Sequence, residues 1–296
     1  MGINRISLYH LETLLAIDRL GTFAAAAERL STTQPAISAR IRELEGHLRA
    51  KLFRREGRTM TLTPAGRQLI RDCGDLWGDL QGALMRSGGL DEASGVIRIG
   101  TGEIAAASCL PSFLSELKAA MPLVSLEVDI DLTANLIQKL LAGRTDIAFA
   151  AGPVAHPVLQ SRSIGEVALM WLASPEIAAR FAEPTRSRAI SIWSLARHSP
   201  IYGRMRDAIA ESKIPQQSLN LCNNARMMID IAKVGGGVGI FPESMVRSEL
   251  ASGALIKVPD MPPIAPVQFQ VVKRLFDNDA LTDEIFNRAS VIQVGG

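Results

Sequence analysis

The chain has 296 residues, a formal net charge of +2 and 47% hydrophobic residues, enough apolar content to fill the cores of two domains. It never holds the ~20 unbroken apolar residues that cross a membrane, and Glu12, Asp18 and Arg19 interrupt residues 1–20 where a cleavable leader needs an apolar run, so a cytoplasmic protein with no membrane partner is expected. Cys73, Cys109 and Cys222 are scattered, without CxxC or a histidine at ligand spacing, which argues against a disulfide framework or a zinc site; no metal and no cofactor are expected.

Residues 23–48, FAAAAERLSTTQPAISARIRELEGHL, read as two short helices around a tight turn. The first is alanine-rich, which suits close packing against another backbone. Thr33 is a candidate N-cap and Pro35 sits in the first turn that follows, so a second helix starts near Gln34. Ile37, Ile41, Leu44 and Leu48 recur along it as one buried stripe. Its other face carries Pro35, Ala39 and Arg42, with Ser38 and Glu43 beside them, and is small and polar in its N-terminal half. Such a helix can enter a major groove about 12 Å wide. A helical hairpin buried in a core is the alternative. Residues 51–62 read as a β-hairpin with a basic, glycine-containing tip beside that helix. Between Arg40 and Arg71 nine basic residues face three acidic ones, a local net charge of +6. The rest of the chain is therefore near neutral to slightly acidic, and the positive charge is concentrated where a polyanion would dock.

The blocks AAERL, TQPAIS, IRELE, LFRREGR and LTPAG, in that order from Leu8 to Ile70, resemble the winged helix-turn-helix of LysR-type transcriptional regulators. The resemblance implies double-stranded promoter DNA as a partner. It implies contacts from the start of the recognition helix and from the wing, here Gln34, Pro35, Ala36, Ser38 and Arg58, with Arg55 in the same basic tip. Many relatives carry Arg directly after the serine. This chain has Ala39 there, so that base contact does not carry over, and Arg40 or Arg42 is left to reach phosphate.

Thr63 and Pro64 open a long helical pattern to about residue 87, on which Leu62, Gly66, Leu69, Cys73, Leu76, Leu80 and Ala83 alternate by four and three. That heptad seam fits pairing with a symmetric partner, with packing against the chain's own second half as the alternative. Leu69, Cys73, Leu76, Leu80 and Ala83 are the expected dimerisation residues. The family's linker helix dimerises, its assembly is usually a tetramer, and RNA polymerase is a candidate partner. The expected organisation is a DNA-binding domain at 1–62, a linker helix at 63–87, a hinge at 88–94 and an effector domain at 95–296.

From Gly95 short β-branched runs alternate with helical patterns: strands at 96–102, 123–130 and 146–152 around helices near 108–120 and 134–142, hence a parallel sheet. A second α/β unit follows, with a strand from 169, helical patterns at 177–181 and 205–213, a strand at 219–222, a helix at 225–234 and a strand at 238–241. A strand at 266–272 and a helix near 281–291 return to the first unit. The fold class is α/β, with an all-α winged head and a two-lobed domain like periplasmic binding proteins, to which the family's effector domain is similar. Lobe I is expected at about 95–162 and 267–296, and lobe II at about 163–266.

Ligands of open α/β sheets sit at strand carboxyl ends and helix N-termini. The candidates in lobe I are Thr101, Gly102, Glu103, Thr133, Ala151 and Gly152, faced from lobe II by Tyr202, Arg204, Asn223 and Asn224. By analogy with the family, Gly102, Thr133, Tyr202 and Asn223 lead. Thr133 also suits a plain N-cap. Glu103 is a misfit, because a carboxylate at the mouth repels an anionic effector unless Arg204 or a ligand amine balances it. A small-molecule effector is expected. The alternatives are a cysteine-based redox sensor, since some relatives in the family sense peroxide through a cysteine pair in this domain and Cys109 sits near a helix start where a thiol pKa can fall, although nothing in the sequence brings Cys222 within reach of it, and a non-transport solute-binding protein. An enzyme is not expected: GGGVG at 235–239 follows a helix and precedes a strand, the reverse of a dinucleotide fingerprint, and reads as a helix end and turn. The four histidines lie in four separate segments.

Overall fold

A computed structural model describes residues 5–30, 32–57, 59–88, 90–182, 191–197, 199–210, 218–275 and 279–295. The head begins with α1 (Leu8–Leu20), α2 (Phe23–Arg29) and α3 (Gln34–Leu48). Thr22 and Thr33 accept hydrogen bonds from Ala25 N and Ala36 N, satisfying N–H groups that the first turns of α2 and α3 leave unpaired. The apolar stripe of α3 is buried as its spacing requires: Ile37, Ile41 and Leu44 pack with Leu14 and Ile17 of α1 and with Ala26 and Ala27 of α2. Leu48 is partly buried against the same cluster. Strands β1 (Phe53–Glu56) and β2 (Thr59–Leu62) form the antiparallel wing, with Phe53 opposite Leu62 and Gly57 in the left-handed region at φ 63°.

Helix α4 (Pro64–Gly88) starts where the hydroxyl of Thr63 accepts from Gly66 N and donates to Lys51 O. Gly66 lies so close to the Leu52 carbonyl that a Cβ there would stand 2.4 Å from the oxygen. Both alternatives left open for this helix have a face on it. Leu69 and Ile70 pack on the head core and another stretch packs on α12 (Ala280–Ala289), whereas Leu76, Leu80 and Ala83 lie exposed, Leu76 at 67%.

The remainder builds two five-stranded sheets. The first has order β4-β3-β5-β12-β6 and comprises β3 (Gly95–Thr101), β4 (Val124–Ile130), β5 (Ile147–Ala151), β6 (Leu159–Val167) and β12 (Val267–Arg274). Helices α5 (Glu103–Ala107), α6 (Leu110–Ala120) and α7 (Thr133–Leu141) connect its parallel strands. The second has order β11-β7-β10-β8-β9. Its chain runs β7 (Leu169–Ala173), α8 (Pro175–Ala182), β8 (Ile192–Leu195), α9 (Pro200–Ala210), β9 (Leu219–Cys222), α10 (Ala225–Lys233), β10 (Val238–Pro242), α11 (Arg247–Ala251) and β11 (Ile256–Lys257). The apolar run of β5 is sheathed on both faces, as a central parallel strand should be: residues 147–150 are 0% exposed.

Several sequence expectations shift. The helix expected near 108–120 is α6, and a separate short helix, α5, precedes it, the two being broken apart at Ser108 and Cys109. The pattern at 205–213 begins earlier, at Pro200, and its last residues lie outside the described ones. Strands β6 and β8 were not anticipated. β6 pairs with β12 down to Val167, so the first sheet continues past 162 and the chain changes sheet at Ala168. The glycines after α10 do serve as a turn: Val234 caps the helix and Gly235 takes φ +81°.

Candidate functional site

The free face of α3 carries Gln34, Pro35, Ala39 and Arg42, all exposed, with Ala36 and Ser38 half-buried at its margins. Arg55 extends the surface along the wing, its Nε donating to Gly57 O; Arg58 lies outside the described residues. Arg40 does not belong to this face. Two positions before Arg42 on a helix, it points roughly opposite. It stacks over the Tyr9 ring at 5.2 Å and donates to Thr13 Oγ1 at 3.3 Å, committed to α1 rather than to an external phosphate.

A residue that sequence reasoning passed over fixes the wing against the recognition helix. Glu45 is 7% exposed; its Oε1 accepts from Leu52 N at 2.8 Å and Phe53 N at 3.2 Å, and its Oε2 from Lys51 Nζ at 2.6 Å. Burial works to raise the carboxyl pKa, but the Lys51 hydrogen bond and the two backbone N–H groups outweigh it and hold it below the usual glutamate range. The sequence signal is weak, because two of its three partners are backbone groups.

In the first sheet the carboxyl ends of β3, β4 and β5 end together, and the candidates there divide. Thr101 is wholly buried, with its hydroxyl on its neighbour's carbonyl, Gly102 O, so its side chain is not open to a ligand. Gly102 is the N-cap of α5. Thr133 is the first residue of α7 rather than its cap, and its hydroxyl accepts from Ala151 N at 3.0 Å, tying α7 to the end of β5. Asp131 serves the start of α7 instead, accepting from Leu132 N and Asn135 Nδ2. The hydrogen bond from Lys139, with help from Asn135, holds its carboxyl down to about 2. Gly152 is buried at φ +89°, donates to Gln268 O, and brings Pro200, the first residue of α9, to 3.7 Å from where a Cβ would sit.

On the other side, Tyr202 is buried and its hydroxyl accepts from Arg197, which also lies over its ring at 5.7 Å. Arg204 and Asn223 are exposed. Asn224 is the N-cap of α10: its Oδ1 accepts from Met227 N at 2.7 Å, leaving Nδ2 to donate to Glu103 Oε1 at 2.6 Å. Glu103 Oε2 accepts from Ala225 N, also at 2.6 Å. The carboxylate that looked misplaced is therefore balanced by a helix N-terminus of the opposite lobe, not by Arg204. It joins lobe I to lobe II across the cleft mouth.

The lowered thiol pKa that the redox alternative would draw on at a helix start is not found at Cys109. Burial pushes the Cys109 thiol pKa up, and its Sγ rests on Ala105 O. Cys73, Cys109 and Cys222 are all unpaired thiols. Among the described residues no group of His, Cys, Asp and Glu could hold a metal, and no helix is long and apolar enough to cross a membrane.

A winged helical head, a long connecting helix and two α/β lobes bridged at Glu103 and Asn224 are the architecture of a DNA-binding regulator with a ligand-binding domain. Comparison with known proteins narrows the class. Residues 90–275 match the family described as LysR substrate binding domain, and residues 8–67 match bacterial regulatory helix-turn-helix protein, lysR family. The chain is 30% identical over 237 residues to the HTH-type transcriptional regulator YofA of Bacillus velezensis, covering 80% of this chain and 81% of that one. It is 32% identical over 165 residues to the regulator CzcR of Bacillus cereus, covering 56% and 57%. Its fold is shared with ArgP of Mycobacterium tuberculosis (TM-score 0.60, 24% identity, 97% and 98% covered) and with a full-length OxyR variant of Pseudomonas aeruginosa (0.59, 19%, 98% and 96%). The chain belongs to the LysR family: it is a LysR-type transcriptional regulator with a helix-turn-helix DNA-binding region and a C-terminal effector-binding domain.

Proposed function

We propose that this regulator reads promoter DNA with the exposed face of α3 and the wing, and that a small molecule bound between its lobes controls that binding or the activation that follows. The observation that carries the reading is the Glu103 bridge to Asn224 and Ala225, because a molecule entering the cleft mouth must meet this link and alter how the lobes are held. The exposed leucines of α4 supply a self-complementary surface for a dimer that presents two recognition helices to an inverted repeat. Two dimers make the tetramer usual in the family, acting on DNA in the cytoplasm.

A thermal-shift screen of the full-length protein against small metabolites, amino acids and aromatic acids included, tests the reading. A true effector raises the unfolding temperature with concentration as RT ln(1 + [L]/Kd) predicts, and changes affinity for operator DNA selected from a random pool. Replacing Ser38 and Arg42 with Ala should weaken that operator binding by roughly tenfold or more at fixed salt, as expected when base or phosphate contacts are lost. Flat melting curves from folded protein, or operator binding indifferent to both substitutions, would overturn it.

A further inference from the structure

The DNA-binding head has a second attachment to the effector domain besides α4. Arg19, near the end of α1, donates through NH2 to Asp146 Oδ1 at 2.9 Å and through NH1 to Asp279 Oδ2 at 2.9 Å. Arg29, the last residue of α2, reaches the same Asp279 oxygen at 3.3 Å and also donates to Val96 O in β3. Both acceptors are built into lobe I. Asp146, only 1% exposed, accepts from Arg98 N ahead of β5, and Asp279 caps α12 by accepting from Leu281 N and Thr282 N. A backbone contact accompanies the charges: at Gly143, φ +70°, a Cβ would stand 3.2 Å from Arg19 O and 3.3 Å from a Leu20 methyl.

The remainder of the contact is loose. A cavity of about 1010 Å³ lies between head, α4 and lobe I, walled by apolar side chains such as Leu20, Trp77, Leu141 and Leu281 together with the charged Glu12 and Asp18. A large, closely packed apolar interface would hold the head firmly, and the unfilled cavity shows that this one is not closely packed. Charged groups, in contrast, regain hydration when they separate, so a polar contact over a cavity suits reversible docking.

We infer that lobe I carries a docking surface for the chain's own DNA-binding head, a reversible polar joint of Arg19 and Arg29 on Asp146, Asp279 and Val96 O that sets head orientation in parallel with α4. The recognition face of α3 stays exposed while the joint is made, so docking orients the head without masking it. A movement of lobe I thereby reaches α1 and α2 directly, rather than only through residues 88–94. Asp279 supports the dependence: burial works to raise its carboxyl pKa, yet Arg19, foremost, and Arg29 bring it below the usual aspartate range.

Hydrogen exchange of the full-length protein provides the test. Arg19→Gln with Arg29→Gln, both substitutions in the head, should speed amide exchange at least tenfold in lobe I at residues 142–146 and 279–282, while Arg19→Lys with Arg29→Lys restores much of the protection. Asp279→Asn, which keeps an acceptor for the α12 cap, should in turn speed exchange at residues 17–21 of the head. If the glutamine pair unfolds the head, seen as lost protection throughout 8–48, the Asp279→Asn variant decides. Unchanged exchange across the boundary in folded variants of both kinds would overturn the joint.

Discussion

Helices α3 and α10 both begin behind an extended cap residue whose side chain accepts a backbone N–H, Thr33 from Ala36 at 3.4 Å and Asn224 from Met227 at 2.7 Å. Their remaining N–H groups are treated in opposite ways. At α10 the chain supplies its own anion, Glu103 from the other lobe, whereas the first turn of α3 carries exposed Gln34 and Pro35 and contains no acidic residue. One helix start is closed from within; the other is left open to solvent. The difference lies in the neighbours that the fold brings to each helix, since both starts are capped by a side-chain oxygen.

The largest effect is expected where α3 does hold a carboxylate, at its far end. Glu45→Ala leaves Leu52 N and Phe53 N buried without their acceptor and should cost about 2–4 kcal/mol of head stability in urea unfolding. The same contact predicts a pH dependence. Glu45 is more acidic folded than unfolded, so its contribution is complete above the unfolded value near 4.3 and disappears as pH falls through the lower folded value; Glu45→Gln should flatten that acid limb.

Asn224→Ala comes next, at about 1–2 kcal/mol, because one side chain serves both Met227 N and Glu103. Thr33→Ala should cost less, ~0.5–1 kcal/mol, its hydrogen bond being long and its helix start exposed. Equal losses in matched denaturant series would break the comparison between the two caps. Glu103→Gln should have the smallest effect, lowering the melting temperature of the effector domain by about 1 °C, since an amide can still accept one of the two hydrogen bonds while losing the charge that favours a helix N-terminus. A melting temperature unaltered by Glu103→Gln would show that the bridge contributes nothing to lobe closure.

Periodic features were legible in the sequence: the buried stripe of α3, the Thr63 cap of α4 and the alternation that gives the parallel strands of the first sheet. Strand β6 was not, because its sequence LQSRSIGEV is mostly polar, contains Gly165 at φ +100° and pairs with β12 across a register shift. Arg40 was misplaced because a count of basic residues ignores helical phase. Glu103 and its partner Asn224 are 121 residues apart, and Arg19 and Asp279 are 260 apart. Each is an ordinary surface residue in its own segment, so pairings across such separations follow from topology rather than from local pattern. Thr101 shows the converse limit, for strand position locates a sheet end but does not say whether the side chain turns toward solvent or core.

The two passages between the sheets are unlike. From β6 to β7 the chain uses one residue, Ala168, whose carbonyl accepts from Glu243 N. From β11 to β12 it uses residues 258–266, stiffened by Pro259, Pro262, Pro263 and Pro266 and fastened by Trp171 Nε1 on Pro262 O at 2.8 Å. A pivot one residue long beside a stiff parallel strap leaves the lobes little freedom to slide or draw apart. Such a pair of connections favours rotation of one lobe against the other, about a line through the two attachments, over sliding or separation.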